Sequence, residues 1–379
     1  MSLVAHTLDR EAMDALVERA RREIDSGLLP SCQLAIGYQG EIVLDVVLGD
    51  ATLDTRYVIF SCTKALVASA IWLLIGDDRL DPSARVAEII PEFAANGKEA
   101  VTVEQLLTHT SGFPRAPLGP PDWYTREARL ARFERWRLTF PPGTKFEYHP
   151  TSAHWVLAEV IERISGTDYR GFIRDRILGP LGLSRLALGV PEDQQGDIAP
   201  LSGRGEAATP DELEAAIGVR ELPLTEVTED VLLGFNQPEN VALGVPGGGG
   251  VSTAADLARF YQALLDDPRD VWARDVRLDG IAEIRNRFPD ERGVPANRTL
   301  GLVVAGDDGL SAGRGMGYTV SPATFGHNGA GGQIAWADPA SGLSFVYLTN
   351  GLDRNVLREW RRTAGLASRA ARCAGSTAG

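Results

Sequence analysis

The chain has 379 residues, 44% of them apolar and 23% charged, a balance that excludes disordered and fibrous classes and supplies a sizeable core. Its net charge is −13, with no run of Lys or Arg able to track a phosphate backbone, which argues against nucleic acid and anionic membrane surfaces as partners. Three widely separated cysteines, Cys32, Cys62 and Cys373, lack C-x-x-C spacing, so they read as reduced packing residues rather than a disulfide framework or a zinc site.

The first residues lack the basic start, apolar stretch and small-residue cleavage site of a signal peptide, so residence in the cytoplasm is expected. Over residues 9–27 the apolar side chains Met13, Leu16, Val17, Ala20 and Ile24 recur at helical spacing and the segment closes on Gly27, which predicts an amphipathic helix. CQLAIGYQGEIVLDVVLG then reads as a hairpin turning near Gln39-Gly40. Helical patterns follow at 62–76, 102–109, 152–165, 169–177 and 253–265. The apolar stretch from Ala65 to Ile75 is about half of the ~20 residues that span a bilayer, so no membrane segment is expected. Stretches at 112–121 and 245–250, rich in Pro and Gly, and a polar tract at 200–225 read as loops. Strands are expected at 299–306, 331–338 and 343–350, and a closing helix after Asn350.

Strands at both ends thus enclose a helical middle. The expected class is α+β: an antiparallel five-stranded sheet flanked by the terminal helices, with a mainly helical lobe inserted between its second and third strands. The division would be 1–60 plus 291–379 for the sheet and 61–290 for the lobe, forming one catalytic unit with a cleft between them.

YVIFSCTKALVASAIWLLIG places Ser61 at the start of an almost wholly apolar helix, with Lys64 three residues on and therefore on the same face. Burial and the positive end of a helix both disfavour an ammonium, so Lys64 can become a neutral amine that accepts the hydroxyl proton of Ser61. A bare S-x-x-K also describes a capping Ser followed by a Lys that reaches for water. The remaining motifs decide between these readings.

Those motifs are LLTHTSG at 106–112, Tyr148 after PPGTKFE, GGGGVSTAADLARF at 247–260 and GHNGAGG at 326–332. In this order and together with Ser61 and Lys64 the chain resembles the serine β-lactamase and penicillin-binding-protein superfamily, in its class C β-lactamase and family VIII carboxylesterase branch. The resemblance covers nearly the whole chain. It implies that Tyr148 shares general-base work with Lys64, that His327, Asn328 and Gly329 border the substrate, and that the backbone N–H groups of Ser61 and Ala330 form an oxyanion hole. It departs from the family pattern twice: Tyr148-His149-Pro150 lacks the usual Asn two residues after the Tyr, and His327 stands where a Lys is usual. Both departures favour an ester, carboxylesterase-like, over a β-lactam, with weak β-lactamase activity compatible. The same site would also serve an acyltransferase, a DD-peptidase or a D-amino-acid amidase, and a binding homologue without activity is the reading outside enzymes.

Trp123, Tyr124 and Phe235 are candidates to line the acyl or alcohol pocket, or else aromatics covering a loop. Ser311 sits in a G-x-S-x-G match, but a loop and a strand follow where a nucleophile elbow needs a helix. His149 and His154 lack zinc-enzyme spacing and read as packing or capping residues, and His109, Ser111 and Gly112 as a structural turn. The expected partner is a small ester or amide. No cofactor or metal is implied, and the oligomeric state is left open.

Overall fold

A computed structural model describes residues 8–222 and 226–375. The start of the segment read for a signal peptide, and 223–225 of the polar tract, lie outside the described residues.

The two extended runs that suggested a hairpin build the centre of the sheet. Ser31–Tyr38 pairs antiparallel with Glu41–Gly49 on one side and Leu343–Thr349 on the other, in registers from Ser31↔Gly49 and Cys32↔Thr349. Ile334–Asp338, Phe325–Gly326 and Val303–Val304 complete an antiparallel sheet of six strands, not the expected five. The additional strand, Phe325–Gly326, has only two residues, too few for alternation to register in a sequence. The 299–306 segment is strand only at Val303–Val304, because Gly301 turns the chain at φ +104°. That turn also lets the backbone press on the Ser61 helix: a Cβ on Gly301 would stand 2.3 Å from the Ala68 side chain.

Each face of the sheet is covered. Cys32, Leu34 and Ile36 point toward Leu16 and Ala20 of the helix Arg10–Asp25 and Leu366, Ala367 and Ala370 of the helix Val356–Ala371. Ala35, Val346 and Leu348, on the opposite face, join a core with Leu257, Ala258 and Tyr261 of the helix Ala254–Asp266. The strand Ser31–Tyr38 is accordingly buried almost throughout, which two-sided cover requires.

The helix Thr63–Gly76 is buried from Thr63 to Leu74, as its apolar character on every side demands, and Lys64 is its only charged residue. It packs against Ser152–Ser165 and Arg274–Ala282. Several helices escaped the periodicity reading, Arg274–Ala282 among them. Arg126–Arg135 buries only Phe133 beneath an arginine-rich exterior, and Pro210–Ile217, inside the tract read as loop, is started by a reciprocal Thr209–Glu212 cap. Among the described residues, no helix is long and apolar enough to cross a membrane.

Candidate active site

The site is assembled at the first turn of the Ser61 helix. Phe60, just before the Ser, has φ +42°, a left-handed conformation that costs a non-glycine residue of order 1–3 kcal/mol and persists only where packing enforces it. The enforcement is visible: Ile59 N–H donates to Gly250 O at 2.9 Å, and the Phe60 ring meets Phe235 edge-on with centroids 5.7 Å apart. Ser61 itself is half-buried.

Three segments distant in sequence meet at Lys64. Its Nζ lies 3.1 Å from Ser61 Oγ, 2.7 Å from the carbonyl of Pro150 and 2.6 Å from the carbonyl of Gly247. Gly247 allows the third approach, since a Cβ there would fall 2.9 Å from Pro150 O. Lys64 is fully buried, and burial holds its pKa below the usual ammonium range, with Arg298 reinforcing and Tyr148 opposing that shift. Tyr148 OH stands 3.0 Å from Ser61 Oγ on the other side, and Lys64 Nζ sits 5.2 Å from the centre of its ring.

Two of the proton arrangements that fit this geometry ready Ser61 for attack. In one, a neutral Lys64 donates to the two carbonyls and accepts the Ser61 hydroxyl, while the Tyr148 phenol donates to Oγ. In the other, an ammonium donates to all three acceptors and Ser61 donates to the phenolate. Each leaves the pair one proton short and aims the Ser61 proton at a base. Sequence and structure agree on these three residues coming together.

The glycine-rich segment 326–332 closes the site from the sheet. A Cβ on Gly329 would stand 2.4 Å from the Ile59 carbonyl, so a glycine here lets the segment press on the backbone two residues before Ser61. His327 is buried; its Nδ1 binds the Asn328 carbonyl at 2.9 Å, which leaves Nε2 as a lone pair without a protein partner. Burial, with Arg298 and Lys64 nearby, holds His327 well below its usual pKa and so neutral. The Asn328 amide is committed to Gly315 O at 2.6 Å and Ala335 N at 3.2 Å, tying a loop to the sheet.

Of the pocket candidates, Phe235 and Tyr124 are linked through Asn240. Tyr124 OH donates to Asn240 Oδ1 at 2.8 Å, Asn240 Nδ2 donates to Gly234 O at 2.8 Å, and the adjacent Phe235 touches Phe60. Trp123 instead turns inward onto Trp155, centroids 6.4 Å apart. Ser311 is bonded to Gly317 O at 2.7 Å in a 3-10 turn, away from this site.

The histidines read as packing residues form a scaffold behind Tyr148. His149 donates from Nδ1 to Glu147 O at 2.7 Å and accepts Ser111 Oγ at 3.0 Å and Phe113 N–H at 3.3 Å on Nε2. His109 accepts the His149 N–H at 3.1 Å, and its ring lies 4.7 Å from that of Tyr148. The sequence reading missed Arg298, which is buried with its guanidinium carbon 5.5 Å from the Tyr148 ring centre. A lone Arg ahead of a strand carries no pattern that would have singled it out.

The chain is similar to known proteins over most of its length. The family model described as Beta-lactamase matches residues 11–368. Esterase/beta-lactamase LipL of Mycobacterium tuberculosis is 29% identical over 351 residues, covering 84% of this chain and 76% of that protein. The structure of a penicillin-binding protein homologue from Caulobacter crescentus superposes with a TM-score of 0.76 at 27% identity, covering 96% of this chain and 99% of the other. A family VIII carboxylesterase superposes with the same TM-score of 0.76 at 25% identity, again over 96% and 99%.

Proposed function

The chain belongs to the beta-lactamase family, a family of serine hydrolases, and from that premise we propose that it is a carboxylesterase acting through an acyl-enzyme on Ser61. The observation that carries the proposal is the bracketing of Ser61 Oγ at 3.1 Å by the Lys64 amine and at 3.0 Å by the Tyr148 phenol. Ser61 Oγ attacks the ester carbonyl carbon, and its proton passes to the Lys64–Tyr148 pair. The oxyanion is received by the N–H groups of Ser61 and Ala330, each such donor being worth about 2.7–4 kcal/mol where measured. As the tetrahedral intermediate collapses, the alkoxide takes a proton from the pair and leaves as an alcohol. Water then attacks acyl-Ser61 and the pair takes its proton; as the bond from carbon to Oγ breaks, the pair returns that proton to Ser61 and the carboxylic acid departs.

An uncharged ester is favoured because His327, neutral and buried, offers no cation to an anionic substrate, and Pro150 offers no side-chain amide. The name of the superposed carboxylesterase points the same way, and that of the M. tuberculosis relative, esterase/beta-lactamase, is compatible with it. Tyr124 and Phe235 would form the wall against the acyl or alcohol group. The test is a panel of p-nitrophenyl esters of increasing acyl length beside a chromogenic cephalosporin. Turnover of short esters with little cephalosporin hydrolysis supports the proposal; efficient cephalosporin hydrolysis without ester turnover contradicts it.

A further inference from the structure

Arg298 is 8% exposed, and its guanidinium carbon lies 5.5 Å from the ring centres of both Phe146 and Tyr148. Among the described residues, no acceptor reaches its buried Nε or Nη1. Its backbone is fixed by pairing with Asn286, whose side chain in turn donates to Thr108 O at 3.0 Å, so the residue is anchored to the turn that carries His109. A buried guanidinium ordinarily has a carboxylate beside it, because an unpaired charge in a low-dielectric interior is costly. Here aromatic faces stand in that place.

We propose that Arg298 is a positioning residue of the Ser61 site: its unpaired guanidinium, lying over the Tyr148 ring, keeps the Lys64–Tyr148 pair one proton short and thus ready to accept the Ser61 proton. The inference rests on the acyl-enzyme reading above. Its physical basis is repulsion. Adding the second proton to the pair creates a net positive charge beside a cation already present, and little water is there to screen it. Arg298 opposes the ammonium of Lys64, in line with the lowered pKa of that residue. Burial pushes Arg298 itself down only to about 10, so it stays charged at neutral pH.

The other titratable groups around the pair do not supply this charge. His109 and His327 face the Tyr148 ring, at 4.7 Å and 6.0 Å between centroids, while His149 and His154 face His109. Burial holds all four histidines below their usual range. Cys62, whose thiol is pushed up by burial, stays neutral as well.

The test compares the native enzyme with Arg298→Lys, Arg298→Gln and Arg298→Met in the pH profile of kcat/KM for a p-nitrophenyl ester. The rising limb is expected about one pH unit higher in the two neutral variants and within about 0.3 unit of native in Arg298→Lys. A limb that stays in place in the neutral variants, or that moves equally in Arg298→Lys, overturns the proposal, whatever happens to the plateau rate. Should the neutral variants fold incompletely, the pH dependence of fluorophosphonate labelling at Ser61 gives the same limb from the folded fraction. Native enzyme that neither labels nor hydrolyses defeats the acyl-enzyme reading and this inference together, whereas labelled native enzyme with an unmoved limb defeats the Arg298 role alone.

Discussion

Lys64 Nζ donates to the carbonyl of Pro150 at 2.7 Å, so a main-chain oxygen holds the amine at the very position where the family resemblance leads one to look for an Asn side chain. Because the acceptor is backbone, Pro150→Ala is expected to leave esterase kcat/KM within about threefold of native, while Lys64→Met lowers it by about 10²–10⁴ by removing a proton acceptor. Steady-state kinetics on both variants checks the contrast.

Gly329→Ala places a methyl group 2.4 Å from the Ile59 carbonyl, closer than real side-chain carbons approach. The segment must retreat and take the Ala330 N–H with it. The expected loss is about 10²–10³ in kcat, the cost of one oxyanion donor, with a smaller change in KM. Thermal melting close to native would locate the effect in the site.

Acid should destabilise the fold earlier than carboxylate chemistry alone would. His149 is pushed down to about 3 by burial, and His109, His154 and His327 also lie well below their usual range, so the unfolded chain binds more protons once pH falls below about 6.5. Stability is therefore full above that value and drains away as pH falls towards 3. Urea unfolding at pH 7 and pH 5 should give a lower midpoint at pH 5. His154→Leu, which removes two buried ring nitrogens without protein partners, should soften that decline and leave stability at pH 7 unchanged or higher.

Glu359 contributes the opposite slope. Burial raises its carboxyl to about 7, so the folded chain binds the extra proton, and stability is lost as pH rises from about 4.5 through 7. The residue packs beside Gly332 in the segment that closes the site, where a Cβ on the glycine would lie 3.6 Å from the Glu359 stem. Glu359→Gln should enlarge the rise in melting temperature from pH 5 to pH 8 that the histidines produce, as differential scanning calorimetry would record.

Legibility in the sequence followed the kind of group involved. The Ser61 helix was readable because its apolar run is unbroken and Lys64 stands out against it, and Ser152–Ser165 was placed to the residue by its periodicity. The sheet was readable where the extended runs are long, at Ser31–Tyr38 and Leu343–Thr349, and not at Phe325–Gly326. Arg126–Arg135 was missed because a helix that buries a single large side chain shows no apolar stripe. Within the site, side chains carried by motifs were found, whereas the carbonyls of Pro150 and Gly247 left no trace, since backbone acceptors carry no residue signature. Arg298 was invisible for a related reason: its meaning comes from Tyr148 and Phe146, which only the fold brings to it.

The central claim is that Ser61, held between Lys64 and Tyr148, is a nucleophile. Intact mass spectrometry after reaction with a fluorophosphonate, followed by peptide mapping, tests it most directly. One adduct per chain on Ser61, absent in Ser61→Ala and strongly slowed in Lys64→Met, is the expected result; an unlabelled Ser61 in folded protein, or labelling that persists unchanged in Ser61→Ala, would contradict it.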